Sequence, residues 1–279
     1  IRKISPDVII HLGAQSFVNE AISNPLKTFS TNILGTANVL AAAGALEKKI
    51  LLLNITSDKV YKNSENMEPF KESSELGGLD PYSCSKSCAE LISHAFFDTY
   101  VNKLKLSNLS IANLRAGNVI GGGDFGANRI IPDIYRSIKT GEVLQLRMPY
   151  AIRPWQHVLD CLSGYLYALR HISKSEGSIS VNFNVGPQDS NNITVLDICG
   201  QAKKWFPALS LNTNSELVAE SKFLLLDSNL LTQSTGWKPV YDTYKAVEQT
   251  FKWYYSFDNG ADVGDLVNKE IQDYLRNNN

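Results

Sequence analysis

The sequence predicts an α/β protein: a parallel sheet with helices on both faces, followed by a smaller α+β C-terminal lobe. Three observations carry this. The apolar runs Val8–Leu12, Ile50–Ile55 and Leu109–Leu114 are short and nearly continuous, as strands buried on both faces are. Helix-periodic stretches, Pro25–Leu46 and Tyr82–Tyr100, separate them at the spacing of βαβ units. After about Gly141 the alternation weakens, and short strands (Leu144–Leu146, His157–Val158, Val181–Asn184) interleave with helices (Cys161–Ile172, Val195–Trp205, Tyr244–Tyr255). Residues 1–141 are assigned to the sheet domain. Residues 142–279 fall mainly in the smaller lobe, with some segments returning to the first domain.

At 279 residues, 43% hydrophobic and 20% charged, the chain can bury a substantial core as one large or two modest domains. A net charge of −1 offers no electrostatic case for nucleic acid. No apolar run is long enough to span a membrane and no signal-peptide pattern is seen, so the cytoplasm is the expected compartment. The four cysteines (Cys84, Cys88, Cys161, Cys199) have neither metal nor redox spacing; reduced thiols and no metal site are expected.

Taken in order, Val8–Leu12 ends at Gly13-Ala14-Gln15, small residues that let a flat ligand approach the backbone. In Pro25–Leu46 the residues Phe29, Ile33, Ala37, Leu40 and Ala41 recur at helical spacing. Asn32 shares that face and, if buried, needs partners. Ile50–Ile55 empties into the polar run Thr56, Ser57, Asp58 and Lys59. Ser64–Asp80, with Pro69 and Gly77-Gly78, reads as a mobile loop beside the site. The next helix is well specified at its start, because Asp80 can cap it and Pro81 suits the first helical position. Tyr82 and Lys86 lie four apart on it and share a face. A lysine beside a phenol favours the phenolate, lowering a pKa of about 10 and producing a base for an alcohol proton. Leu109–Leu114 leads into Arg115-Ala116-Gly117-Asn118-Val119. Gly121-Gly122-Gly123 lacks the Lys-Ser/Thr of a phosphate loop and reads as a flexible lead into the helix around Ile130–Lys139. Arg153 carries a planar guanidinium suited to bidentate phosphate binding.

Five motifs in register, HLGAQ (His11–Gln15), TSDKVY (Thr56–Tyr61), DPYSCSKSCAE (Asp80–Glu90), RAGNVIGGGD (Arg115–Asp124) and AIRPWQHV (Ala151–Val158), resemble the extended short-chain dehydrogenases/reductases. More narrowly, the sequence resembles the CDP-glucose 4,6-dehydratases. The resemblance implies a Rossmann-type fold, tightly bound NAD and a nucleotide-sugar substrate, CDP-glucose, dehydrated at C5 and C6 for deoxyhexose synthesis. It implies that Tyr82, assisted by Lys86, takes the C4 hydroxyl proton while Ser57 aligns that hydroxyl. Asp58 would protonate the C6 oxygen, and Lys59 or a water positioned by it would take the C5 proton. Cofactor contacts would come from Leu12, Gly13, Ala14, Gln15, Asn32, Thr56, Tyr82, Lys86, Ala116, Gly117 and Val119. Substrate contacts would come from Asn118, Arg129, Arg153 and His157, the last packed or near the cytidine. Lysine at position 59, where other sugar-nucleotide dehydratases usually have glutamate, is the feature similar to the CDP-glucose group.

The family also implies a homodimer through the helices around Pro25–Leu46 and Tyr82–Tyr100. A dinucleotide-binding sheet opens with a strand, a glycine-rich turn, a helix and a ribose-binding acidic residue. The sequence contains none of these, so roughly 60 further residues are expected upstream, together with weak NAD binding by the fragment alone. A nucleotide-sugar 4-epimerase, or an idle member acting as a binding protein, stands as the alternative.

Overall fold

Successive residues of the central strands face opposite ways, and both ways are covered. In the computed structural model, which describes residues 1–63, 65, 67–188, 191–213 and 222–277, Leu52 packs with Leu40, Phe97, Val101, Leu109 and Ile111. Leu53 packs on the other face with Ala112, Leu114, Tyr165, Phe183 and Trp237. Burial on both faces explains why these strands are apolar without alternation.

The sheet holds β1 (Val8–His11), β2 (Ile50–Ile55), β3 (Leu109–Ala116) and β7 (Ser180–Val185), all parallel, in the order β1-β2-β3-β7. Registers such as Leu53↔Ala112 and Leu114↔Phe183 set the carboxyl ends of β1, β2 and β3 side by side. Between β1 and β2 run α1 (Val18–Ser23), α2 (Pro25–Phe29), a π-helical turn (Ser30–Leu34) and α3 (Gly35–Gly44). Between β2 and β3 comes α4 (Pro81–Phe96), extended by a π-helical segment, Phe97–Lys103. The expected strands and long helices are thus present. Val181–Asn184 differs: read as a strand of the smaller lobe, it is the core of β7 and closes the main sheet. Strand pairing is a long-range choice that an apolar run does not reveal.

After β3 the chain forms β4 (Asn118–Ile120), α5 (Ile130–Thr140), β5 (Leu144–Gln145), β6 (Trp155–His157) and α6 (Val158–Ser173). Beyond β7 come α7 (Val195–Trp205), β8 (Leu211–Asn212), α8 (Asn229–Thr235), α9 (Thr243–Asp258) and α10 (Val263–Asn277). The helices α6 and α8 lie on the main sheet, whereas α5, α7 and α9 surround a second core containing Ile134, Trp155, Ile198, Val247 and Phe251. α10 runs to Asn277, while residues 278 and 279 lie outside the described residues. Among the described residues no helix is long and apolar enough to cross a membrane.

The glycine run is a packing point, where a flexible lead was expected. A Cβ on Gly122 would stand 2.0 Å from Trp253 of α9, so only glycine fits. The expected mobile loop is likewise tied down over its described part. Tyr61 and Leu76 form a bridge, and Phe70 stacks on Tyr61 with centroids 4.7 Å apart; residues 64 and 66 lie outside the described residues.

Candidate active site

The site forms where the strand ends, the start of α4 and the second lobe meet. α4 starts as its sequence prescribes: Pro81 takes the first turn, and Asp80 Oδ1 accepts from the amides of Tyr82 and Ser83 at 2.9 and 3.0 Å. At the end of β2 the chain tightens into one 3₁₀ turn, Asp58–Val60, capped by Ser57, whose Oγ accepts from the Lys59 amide. A cavity of about 1150 Å³ opens between them. It is lined by Ser57, Asp58, Lys59 and Tyr82 from the strand and helix ends, by Ala14 and Gln15 beyond β1, and by Gly117, Asn118 and Val119 after β3. Arg129 and Arg153 complete it from the second lobe.

Asp58 is the most unusual group there. It is 4% exposed, accepts from Ser57 Oγ at 2.9 Å through Oδ1, and leaves Oδ2 buried without a hydrogen-bond partner. Burial pushes its carboxyl above the ordinary value, against the opposing influence of Lys59, the Ser57 hydrogen bond and Arg153. A carboxyl so placed tends to hold a proton and can give it up.

Tyr82 departs from expectation. Its phenol is pushed up to about 12 by burial, with the Ser57 hydrogen bond opposing and the Asp58 charge adding to the rise. Lys86 donates its Nζ hydrogen bond to the Ile55 carbonyl at 3.0 Å, on the far side of the cavity wall. The lysine's own value falls to about 8 because it is buried, Glu90 opposing. The phenol is raised where a depression was expected: burial is the largest influence on it, and the cation opposing burial is Arg129 of the second lobe.

The remaining expected contacts divide. Leu12, Gly13, Asn32, Thr56, Lys86, Ala116 and His157 do not line the cavity. Asn32 is a satisfied buried amide. It accepts from the Gln15 amide at 2.8 Å and donates to the Gln15 carbonyl and Ser85 Oγ, tying the end of β1 to α4. Thr56 turns inward, its hydroxyl donating to Glu90 at 2.6 Å. His157 is fully buried, pairs with Glu270 at 3.2 Å, caps α6 by accepting from the Leu159 amide, and packs edge-on to Tyr241. It is a packed helix cap and does not touch the cavity. Gly117 is required by a close approach: a Cβ there would meet Pro154 at 2.4 Å, so the glycine seats the segment carrying Arg153. Arg153 donates to the carbonyls of Ile152 and Lys222, and Arg129 pairs with Asp124 at 3.2 Å and lies over the Phe17 ring.

Sequence reasoning missed Phe17, Arg147 and Trp155 on the wall, and Glu90 and Arg115 behind it. The only local signal for Glu90 was its place two turns beyond Tyr82 on one helix.

The sequence pattern of the NAD dependent epimerase/dehydratase family matches residues 1–186. The chain belongs to this family. It is 34% identical to CDP-glucose 4,6-dehydratase of Salmonella typhimurium over 99% of this chain and 78% of that protein. It is 31% identical to UDP-glucose 4-epimerase of Mycoplasma genitalium over 76% of this chain and 64% of that one. In three dimensions it resembles a UDP-glucose-4-epimerase from Stenotrophomonas maltophila solved with bound NAD and formylated UDP-arabinopyranose. The TM-score is 0.79 at 21% identity, over 93% of this chain and 79% of that chain, a likeness that speaks for the shared fold. The family's cofactor is NAD. The residues present fit its nicotinamide end: the hydroxyl-bearing Ser57 and Tyr82 line the cavity together with the small residues Ala14 and Gly117.

Proposed function

We propose that this chain dehydrates a nucleotide sugar, CDP-glucose, to CDP-4-dehydro-6-deoxy-glucose. The observation that carries the reading is Asp58, a carboxyl whose pKa burial raises and whose Oδ2 is buried without a hydrogen-bond partner, on the same wall as Ser57, Lys59 and Tyr82. Its support outside the chain is the similarity to the Salmonella dehydratase.

The C5 proton of a hexose is not acidic until C4 is a ketone. Bound NAD would supply a hydride acceptor, returned to C6 at the end, and a cationic ring whose charge favours the Tyr82 phenolate. Tyr82 takes the C4 hydroxyl proton, and Ser57, hydrogen-bonded to the phenol, aligns that hydroxyl. Lys59 removes the C5 proton. Asp58 gives its proton to the C6 oxygen, so that water leaves and a C5–C6 double bond forms. Arg153 and Arg129 offer guanidinium groups to the diphosphate, with Asn118 beside them.

The similarity to the Mycoplasma epimerase favours a second reading, 4-epimerisation, which needs Ser57, Tyr82 and Lys86 but neither Asp58 nor Lys59. Incubation with CDP-glucose and NAD separates them. A 4-keto-6-deoxy product that absorbs in alkali supports dehydration. A C4-inverted sugar of unchanged elemental composition refutes it. A homodimer through α2–α3 and α4, where Leu26, Leu34 and Leu91 are exposed, belongs to the same reading and is checked by sedimentation.

A further inference from the structure

Behind the cavity lies a buried polar network that the proposed chemistry does not use. Glu90 and Arg115 are 0% and 1% exposed. Arg115 Nε donates to both Glu90 oxygens at 2.9 Å and Nη2 donates to Oε2 at 2.5 Å. Arg115 Nη1 donates to Tyr61 Oη at 2.8 Å and to the Glu72 carbonyl at 3.0 Å, and Tyr61 in turn donates to Asn184 of β7 at 2.6 Å. Thr56 donates to Glu90 Oε1 at 2.6 Å. The two oxygens of this carboxyl thus take three donor groups, Arg115 Nε and Nη2 and the Thr56 hydroxyl, the guanidinium contacts being charge-assisted.

Glu90 sits one helical turn beyond Lys86, as Lys86 sits one turn beyond Tyr82, so the three form one stripe along α4. The stripe grips the end of β2 at two consecutive residues, Lys86 on the Ile55 carbonyl and Glu90 on the Thr56 hydroxyl. The ionisable groups facing the ammonium are Tyr82 and Glu90 on its own helix, His11 from β1, and Arg115 from β3 behind Glu90. Burial pulls the Lys86 ammonium down to about 8, and Glu90 is the group that opposes this.

We propose that Glu90 is a positioning residue for the site: clamped by Arg115 and Thr56, its carboxylate keeps the Lys86 ammonium charged and held at the end of β2. The inference rests on Lys86 taking part in the chemistry proposed above, but the ionisation itself is measurable without substrate or cofactor.

Two substitutions that break the same ion pair give opposite signs. Glu90→Gln keeps the volume and the Thr56 hydrogen bond, removes the negative charge and leaves Arg115 uncompensated; the Lys86 midpoint falls by about one pH unit or more. Arg115→Met leaves the Glu90 charge unshared, and the midpoint rises. Both are read in full-length protein by ¹³Cε NMR of labelled lysine, with the Lys86 resonance assigned by its loss in Lys86→Met. The alkaline limb of kcat/KM is expected to follow each shift. A bridge that serves only to pack α4 against β3 would move neither midpoint, or both in one direction, and either result overturns the proposal. If Glu90→Gln does not fold, the upward shift in Arg115→Met decides alone. Midpoints that shift as stated while the pH–rate limb stays put uphold the coupling and remove Lys86 from the proposed chemistry.

Discussion

Asp58→Asn separates the two halves of the proposed reaction. The substitution is isosteric, at a side chain 4% exposed that accepts from Ser57 at 2.9 Å, so the cavity keeps its shape. What is lost is a group able to give a proton to the C6 oxygen. A positioned general acid contributes about 10²–10⁴-fold, or about 3–5 kcal/mol of barrier, and product formation should fall by that factor. Oxidation at C4 depends on Ser57 and Tyr82, which are untouched. Substrate should therefore still reduce bound nicotinamide, seen as a rise in its reduced-form absorbance, while the 4-keto-6-deoxy product fails to accumulate. Stability should move the opposite way. The folded-state carboxyl holds its proton more tightly than the unfolded one, so the parent loses stability as pH rises above the ordinary 3.8 and does not regain it. Asparagine has no such penalty, and Asp58→Asn should melt higher than the parent at neutral pH. A variant that turns over within tenfold of the parent, or that loses nicotinamide reduction along with product, refutes the assignment.

Tyr82→Phe should lose both nicotinamide reduction and product by about 10²–10⁴-fold with an unchanged melting temperature, and turnover within tenfold of the parent would remove Tyr82 from the role of base. Lys86 titrates at about 8 folded against 10.5 unfolded, so the unfolded state binds more protons between these values and stability rises with pH across that window. Lys86→Met should accordingly gain up to about 3 kcal/mol at pH near 7, with the gain shrinking towards pH 10 in parallel thermal melts, while activity is lost. Gly122→Ala should cost about 1–3 kcal/mol by overpacking, because the new Cβ would lie 2.0 Å from Trp253, itself buried and stacked on Phe257; an unchanged melting temperature would show that α9 can yield.

Much of the site was legible because it is written locally. Asp80-Pro81 states where α4 begins, the four-residue interval from Tyr82 to Lys86 states which residues share a face, and Ile50–Ile55 states where a strand must release Ser57 and Asp58. Its electrostatics were not legible in the same way. The interval between Tyr82 and Lys86 predicted a depressed phenol, but the value follows from how much protein surrounds the hydroxyl, and that protein comes from β2, β3 and the second lobe.

What the sequence by itself determined is the set of elements and the chemistry carried at their ends, since capping, helical spacing and continuous apolar runs act over a few residues. What only the tertiary structure decided is which side chains face the cavity and in which charge state. Thr56 turned inward to Glu90, His157 sank against Tyr241, and Arg115 crossed 25 residues of chain to clamp Glu90. The physical reason is that burial and pairing are properties of neighbours brought together by folding, and burial is the largest influence on both Tyr82 and Lys86.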